Sequence, residues 1–116
     1  LRKLKQHAGS MMDNVRWRDR LTRVEVELMA LEITNLRFLD RMRRTGQPPG
    51  ADVSMLKIKG TEIQQALTEL AMQAADPNAL ETQALERRYL DMRKTTIYAG
   101  SNEIQRNIIA KMTLGL

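Results

Sequence analysis

Leu21, Val24, Leu28, Leu31, Asn35, Phe38 and Met42 fall alternately three and four residues apart. Only an α-helix brings such positions onto one face, because 3.6 residues complete a turn. The seam predicts one long amphipathic helix over roughly Val15–Arg44, with Asp13 or Asn14 available to cap its start. A helix of that length with one apolar stripe needs partners of its own kind. Asn35 interrupts the stripe. It reads either as a buried polar group that sets register or as the seam's edge, and the edge is the simpler reading.

The rest of the chain supplies the partners. Gly46 follows the basic cluster Arg41, Arg43 and Arg44, the pattern of a helix C-terminus. Pro48 and Pro49 forbid continuation. A second helix, capped by Asp52 or Ser54, runs to about Ala75 with Leu56, Ile63, Ala66, Leu67, Leu70 and Ala71 on its apolar face, and Gly60 in its interior. Asp76-Pro77 reads as N-cap and first helical position of a third helix, with Leu80, Leu85, Tyr89 and Met92 inward. A fourth starts at Ser101 or Asn102, buries Ile104, Ile108 and Met112, and ends at Gly115. Met29, Met55, Met72, Met92 and Met112 lie near apolar faces and read as core filling. Strand signals are confined to the few residues before Ala99, where Thr95, Thr96, Ile97 and Tyr98 read as extended.

The expected architecture is all-α, an antiparallel helix bundle over residues 15–116. Residues 1–14 read as an N-terminal tail, the remnant of a preceding segment. A start at Leu1 and an incomplete bundle wall suggest a piece of a longer protein. That piece would carry only part of a site, and its cut face would favour self-association.

Several chemistries are excluded by composition. The 116 residues contain no Cys, so a disulfide, a thiolate metal site and a Cys nucleophile are ruled out, which fits the cytoplasm. No apolar run approaches the ~20 residues that span a bilayer. His7 is the only histidine and stands alone in a basic stretch, which argues against a triad or a metal site. The net charge of +5 sits in the first segment. Residues 1–45 hold eleven Lys/Arg against six Asp/Glu, and the remainder holds eight of each. Within it "VRWRDRLTR" places Arg16, Arg20 and Arg23 on one face beside Trp17. Such a patch could meet phosphates, with Trp17 stacking on bases. A solvated helix face, with Asp19 and Arg23 paired at i, i+4 and Trp17 as an anchor, explains it more simply and weighs against a nucleic-acid partner.

The last motif is "IYAGSNEIQRN". Gly100 permits a turn with close ligand approach. Ser101 and Asn102 open a helix whose first N–H groups are unpaired, a setting suited to an anion. Plain capping, with Asn102 and Gln105 as a capping-box variant, is the alternative. Ile97, Tyr98, Gly100, Ser101, Glu103, Ile104, Gln105, Arg106, Ile108, Ile109 and Ala110 resemble the C-terminal signature I-Y-x-G-[TS]-x-E-I-Q-R-x-I-I-A of acyl-CoA dehydrogenases. "SMLKIKGTEIQQALTELAM", "RDRLTRVEVELMALEITNLR" and the closing "LGL" resemble that family's bacterial branch, so the likeness runs from about Val15 onward.

The resemblance implies the C-terminal helical domain of a flavoenzyme. Such enzymes bind FAD between domains and subunits, work as homo- or hetero-oligomers (dimers or tetramers), act on acyl-CoA thioesters and pass electrons to an acceptor this chain does not reveal. It assigns FAD contacts to Ser101 and Glu103. Tyr98, Ala99 and Gly100 go to the substrate side, the Ala99 N–H donating to the thioester carbonyl. In one family arrangement the base is a glutamate directly after the Tyr. Here that position is Ala99, so no catalytic residue is expected in this chain, and Glu103 belongs to the cofactor side. The base would then come from a preceding helix or a partner subunit, or the protein is an inert subunit. The family's Gly-Gly-x-Gly-Tyr segment between the last two bundle helices is replaced by "AADPNALETQALERRY", so the usual flavin contact of that region is not assigned here. The rival reading is a basic helical module that binds nucleic acid or protein.

Overall fold

The computed structural model describes residues 1–76, 78–79 and 82–115. The described residues contain helices and turns and no strand. In order they form α1 (Arg2–His7), a 3₁₀ segment (Gly9–Asp13), α2 (Val15–Thr45), α3 (Asp52–Ala74), α4 (Thr82–Arg93), a 3₁₀ turn (Lys94–Thr96) and α5 (Asn102–Leu114). The 31 residues of α2 set the overall shape. At about 1.5 Å per residue they span about 46 Å, close to the 51 Å long axis of a molecule only 25 × 22 Å across. α3 is the central element, with α2, α4 and α5 all packed against it.

α2 starts and stops for identifiable reasons. Asn14 Oδ1 accepts the Trp17 N–H at 3.1 Å, taking up one of the free donors of the first turn. Gly46 ends the helix at φ +65° and returns its N–H to the Met42 carbonyl. Ala8, Trp17, Leu21, Val24, Ile63 and Leu70 form the core, at the end where α2 begins and α3 finishes. Leu1, Leu4, Met11 and Met12 pack against it, so residues 1–14 fold as helical turns on the core. Trp17 is the anchor: it is 2% exposed, and its indole N–H donates to the Leu70 carbonyl at 3.2 Å. Asn35 is exposed, at the seam's edge.

Four expectations need correction. Neither Asp52 nor Ser54 caps α3. Ala51 holds the N-cap position without a side-chain bond, Asp52 lies in the first turn as the ion-pair partner of Arg41, and Ser54 is buried. On α5 the face against α3 runs through Asn102, Gln105, Ile108 and Ile109, so Ile104 and Met112 point to solvent. Burying the first-turn amide of Asn102 rotates the helix away from its most apolar stripe. Met29, Met55 and Met112 are likewise exposed, while Met72 and Met92 are half-buried. The extended segment before Ala99 is instead a 3₁₀ turn. Thr95 Oγ1 donates back to the Met92 carbonyl at 2.7 Å and Thr96 Oγ1 to that of Arg93 at 3.4 Å, local bonds that outweigh β-propensity. Pro77 and Leu80, read as helix start and inward residue, lie outside the described residues.

Gly60 sits half-buried inside α3, and a Cβ there would meet only Leu31 Cδ2, at an ordinary 3.9 Å. Gly60→Ala is therefore expected to raise stability by about 0.5–1 kcal/mol, read as an upward shift of the denaturation midpoint at unchanged slope. A loss of stability would show that α2 and α3 approach more closely than this packing allows.

Candidate functional site

The signature segment hangs between the end of α4 and the start of α5, and α3 holds both ends. The last carbonyls of a helix lack intrahelical donors. Gln65 on α3 supplies them: its Nε2 donates to the Met92 and Arg93 carbonyls at 3.2 and 3.3 Å. Arg93 reciprocates, donating to the Gln65 carbonyl at 2.9 Å, Thr68 Oγ1 at 3.1 Å and Glu69 Oε1 at 2.9 Å. Its guanidinium also lies 4.4 Å from the centre of the Tyr89 ring. Glu69 extends the link by accepting Arg20 of α2 on its other oxygen at 3.2 Å. One planar group with several donors thus ties α4 to α3 at three points, a role lysine could not fill, and Glu69 carries the link on to α2.

The chain then turns sharply. The N–H groups of Ile97 and Tyr98 both donate to the Lys94 carbonyl, and both side chains stand in solvent. Ala99 follows at φ +55° and Gly100 at φ +85°. Ala99 is the one non-glycine residue with positive φ among those described, a conformation that costs an L-residue about 1–2 kcal/mol. The space beside Gly100 is taken by Gln105, whose Nε2 would lie 2.6 Å from an added Cβ. The strained pair faces outward between exposed Tyr98 and the first turn of α5.

Ser101 caps α5, its hydroxyl oxygen accepting the Ile104 N–H at 3.3 Å. The cap is Ser101, not Asn102 with Gln105. Asn102 is only 4% exposed and faces α3, where its Oδ1 accepts Lys57 Nζ at 2.8 Å and its Nδ2 donates to Thr61 Oγ1 at 3.2 Å. Glu103 lies on the outer side of the same turn. Its own backbone N–H and the Ser101 hydroxyl, with smaller help from Arg106 and Lys57, hold its carboxyl below the ordinary carboxylate value. Arg106 lies 3.6 Å from Glu103 and equally far from Glu62 of α3.

Tyr98, Ala99, Gly100, Ser101 and Glu103 thus form one continuous outward surface. Glu103 changes its chemistry. An ionised carboxylate already occupies the helix N-terminus, so the turn repels a phosphate and favours neutral hydroxyl or amino groups that donate to Ser101 Oγ and Glu103. Asn102 was read from sequence only as a helix start or cap, and Lys57, Gln65 and Arg93 were not singled out. For Asn102 a signal existed, since it is the polar residue between two assigned positions. For the other three nothing local distinguishes them from surface residues.

The remaining candidates are scattered. His7 is exposed at the far end of the chain, its Nδ1 2.7 Å from the Lys3 carbonyl. The basic segment forms no stacking platform, because Trp17 is buried, Arg20 is engaged by Glu69 and Gln73, and Arg23 pairs with Asp19 at 3.0 Å. Surface grooves of about 300 and 430 Å³ lie along α2, at Val24–Leu70 and Trp17–Gln73, away from the signature turn. No cluster able to hold a metal ion occurs among the described residues.

Backbone strain and charge at this turn give two expected outcomes. Ala99→Gly should stabilise the fold by about 1 kcal/mol and Gly100→Ala should destabilise it by a similar amount, from relief and addition of left-handed strain. Opposite signs in a denaturation experiment check the turn; equal signs would contradict it. For Glu103, a lowered folded pKa means that its stabilising contribution is complete above the ordinary value of 4.5 and is lost as pH falls through the folded value. Glu103→Gln should flatten that acid limb of the stability profile and leave its shape near neutrality unchanged.

The comparisons with known proteins converge on one family. The model of the acyl-CoA dehydrogenase C-terminal domain matches residues 1–114. The chain is 38% identical over 104 residues to the acyl-CoA dehydrogenase IpdE1 of Mycobacterium tuberculosis, covering 85% of this chain and 26% of that protein. It is 32% identical over 108 residues to the acyl-CoA dehydrogenase FadE34 of the same organism, covering 93% of this chain and 15% of that protein. The IpdE1 protein of Mycolicibacterium smegmatis is 36% identical over 104 residues, covering 85% and 25%. The chain therefore spans about a quarter or less of the curated relatives it matches. No solved structure matches it. With the all-helical fold and the signature turn in place, the family model and these relatives make the chain a C-terminal domain of the acyl-CoA dehydrogenase family.

Proposed function

We propose that this domain serves α,β-dehydrogenation of an acyl-CoA thioester, with FAD as cofactor, by presenting the Tyr98–Glu103 turn to both ligands. The observation that carries the reading is the outward turn itself, held from two sides by α3 and bearing an acceptor pair, Ser101 and Glu103, at its end. The donor set fits a dinucleotide cofactor in one particular way. Ribose hydroxyls or an amino group can donate to Glu103 and Ser101, whereas the pyrophosphate belongs elsewhere. Bound FAD supplies the acceptor for the hydride equivalent that leaves the β-carbon.

The chain's own residues have three roles in this reading. Ser101 and Glu103 bind and orient the cofactor. The exposed Tyr98 ring borders the acyl group and excludes water from it. The positive φ of Ala99 fixes the direction of its N–H, which donates to the thioester carbonyl and stabilises the enolate character that develops as the α-proton leaves. The proton goes to a base outside this chain, because the Ala99 methyl accepts none. Such a site is completed by other segments and, in an oligomer of two or four subunits, by neighbours.

The Ala99 methyl also supports a second reading, a catalytically inert subunit that pairs with an active one. Both are separated by one experiment. Full-length protein should purify with a flavin spectrum that bleaches anaerobically on addition of one class of acyl-CoA. Flavin that never bleaches with any acyl-CoA would move the protein to the inert-subunit reading. Absence of flavin after reconstitution with FAD would overturn both.

A further inference from the structure

The two shorter hydrogen bonds of the Asn102 amide fix its orientation, and Thr61 Oγ1 also lies 3.4 Å from its Oδ1. A lysine ammonium has only donors, so the side-chain atom that meets Lys57 Nζ at 2.8 Å must be the Asn102 oxygen. That choice turns Nδ2 toward Thr61 Oγ1, at 3.2 Å. Thr61 Oγ1 accepts this bond and spends its own proton on the Ile58 carbonyl at 2.8 Å. The series Lys57, Asn102, Thr61, Ile58 is therefore complete, with one end on a charge and the other on the α3 backbone. It is buried where it matters: Asn102 is 4% exposed, and Lys57 and Thr61 are half-buried.

An ordinary helix cap did not require this arrangement, since Ser101 already serves the Ile104 N–H. The buried amide does something else. It fixes the rotation of α5 about its axis and thereby decides which residues of the first turn face outward. With Asn102 turned to α3, Ser101 and Glu103 flank it and reach the surface on the side of Tyr98 and Ala99. Each helical residue advances about 100° around the axis. Release of the amide would let apolar Ile104 seek α3 and carry Glu103 out of place.

We infer that Lys57 is a positioning residue, which acts through Asn102 and Thr61 to hold the first turn of α5 with Ser101 and Glu103 facing the cofactor. The positioning is a property of the fold; its purpose toward FAD rests on the function proposed above. Lys57 touches no ligand in this account. Its charge is needed because a neutral donor would allow the Asn102 amide to flip.

The test has two readouts in the full-length protein, for Lys57→Met, Lys57→Arg and a control, Ile63→Val, that perturbs the core without touching the series. The first is amide hydrogen exchange at Ile104 and Gln105, whose N–H groups bond the Ser101 hydroxyl and carbonyl. Lys57→Met should speed their exchange at least tenfold relative to Ile108–Ala110, and Lys57→Arg should restore it. Ile63→Val should leave that ratio unchanged. Unchanged exchange in Lys57→Met overturns the proposal, whether or not the protein binds flavin. The second is the FAD dissociation constant, which should rise at least tenfold in Lys57→Met and return in Lys57→Arg. Faster exchange with unaltered FAD affinity would overturn the cofactor role and leave a purely structural anchor. Faster exchange in a protein whose wild type binds no FAD would sustain the positioning and sink the proposed function instead.

Discussion

Helix ends leave backbone donors and acceptors unpaired, and this structure turns on how two such ends are satisfied. Eight residues, Lys94–Ser101, separate the C-terminus of α4 from the N-terminus of α5, and a turn with two consecutive positive φ values joins them. Ser101 caps the first turn of α5, and the further contacts at both ends come from another helix. α3 supplies the partners for both: Gln65 for the α4 carbonyls, and Lys57 and Thr61 for the buried amide that orients α5. Arg93 closes the arrangement from the other side by returning its guanidinium to α3. The central helix is thus a scaffold twice over. Its apolar face builds the core with α2, and its polar face sets the geometry of the signature turn.

The division between those faces explains what the sequence disclosed. The seam of α2 was legible because an apolar stripe over many turns has one physical reading, and the caps at Asn14 and Gly46 agree with it. Leu70 and Ile63 were legible as core positions for the same reason, and Trp17 was read as a helix-start anchor in preference to a stacking residue. The all-helical class followed from periodicity alone. The rotation of α5 was not legible. Ile104, Ile108 and Met112 form the more apolar stripe, yet the hydrogen-bonded Asn102 amide is buried against α3 while Ile104 and Met112 stay exposed, and apolar periodicity does not register such a polar contact. Nor was the 3₁₀ turn at Thr95–Thr96 legible, because hydroxyl bonds to preceding carbonyls overrode the strand preference of those residue types. The site residues themselves came from the signature, while two of their supports, Lys57 and Gln65, lie far away in sequence and only the fold brings them to the turn.

Burial of Trp17 also takes the stacking residue out of the basic segment. An arginine cluster beside an exposed tryptophan would have favoured nucleic acid. Here the indole is a core anchor, and two of the three arginines that share the face are engaged by carboxylates. The excess positive charge is therefore the solvated side of a helix whose other side builds the core. What distinguishes this domain is concentrated at the opposite kind of feature, a short strained turn with a carboxylate at a helix N-terminus.

That turn is where cofactor and fold would meet in the proposed function. The direct measurement is an experimental structure of the full-length protein with FAD bound, and the distances from Ser101 Oγ and the Glu103 carboxylate to the cofactor. Both are expected within hydrogen-bond distance of its hydroxyl or amino groups, with Asn102 still facing Lys57. A cofactor bound away from this turn, or one whose phosphates sit on Glu103, would contradict the proposed function.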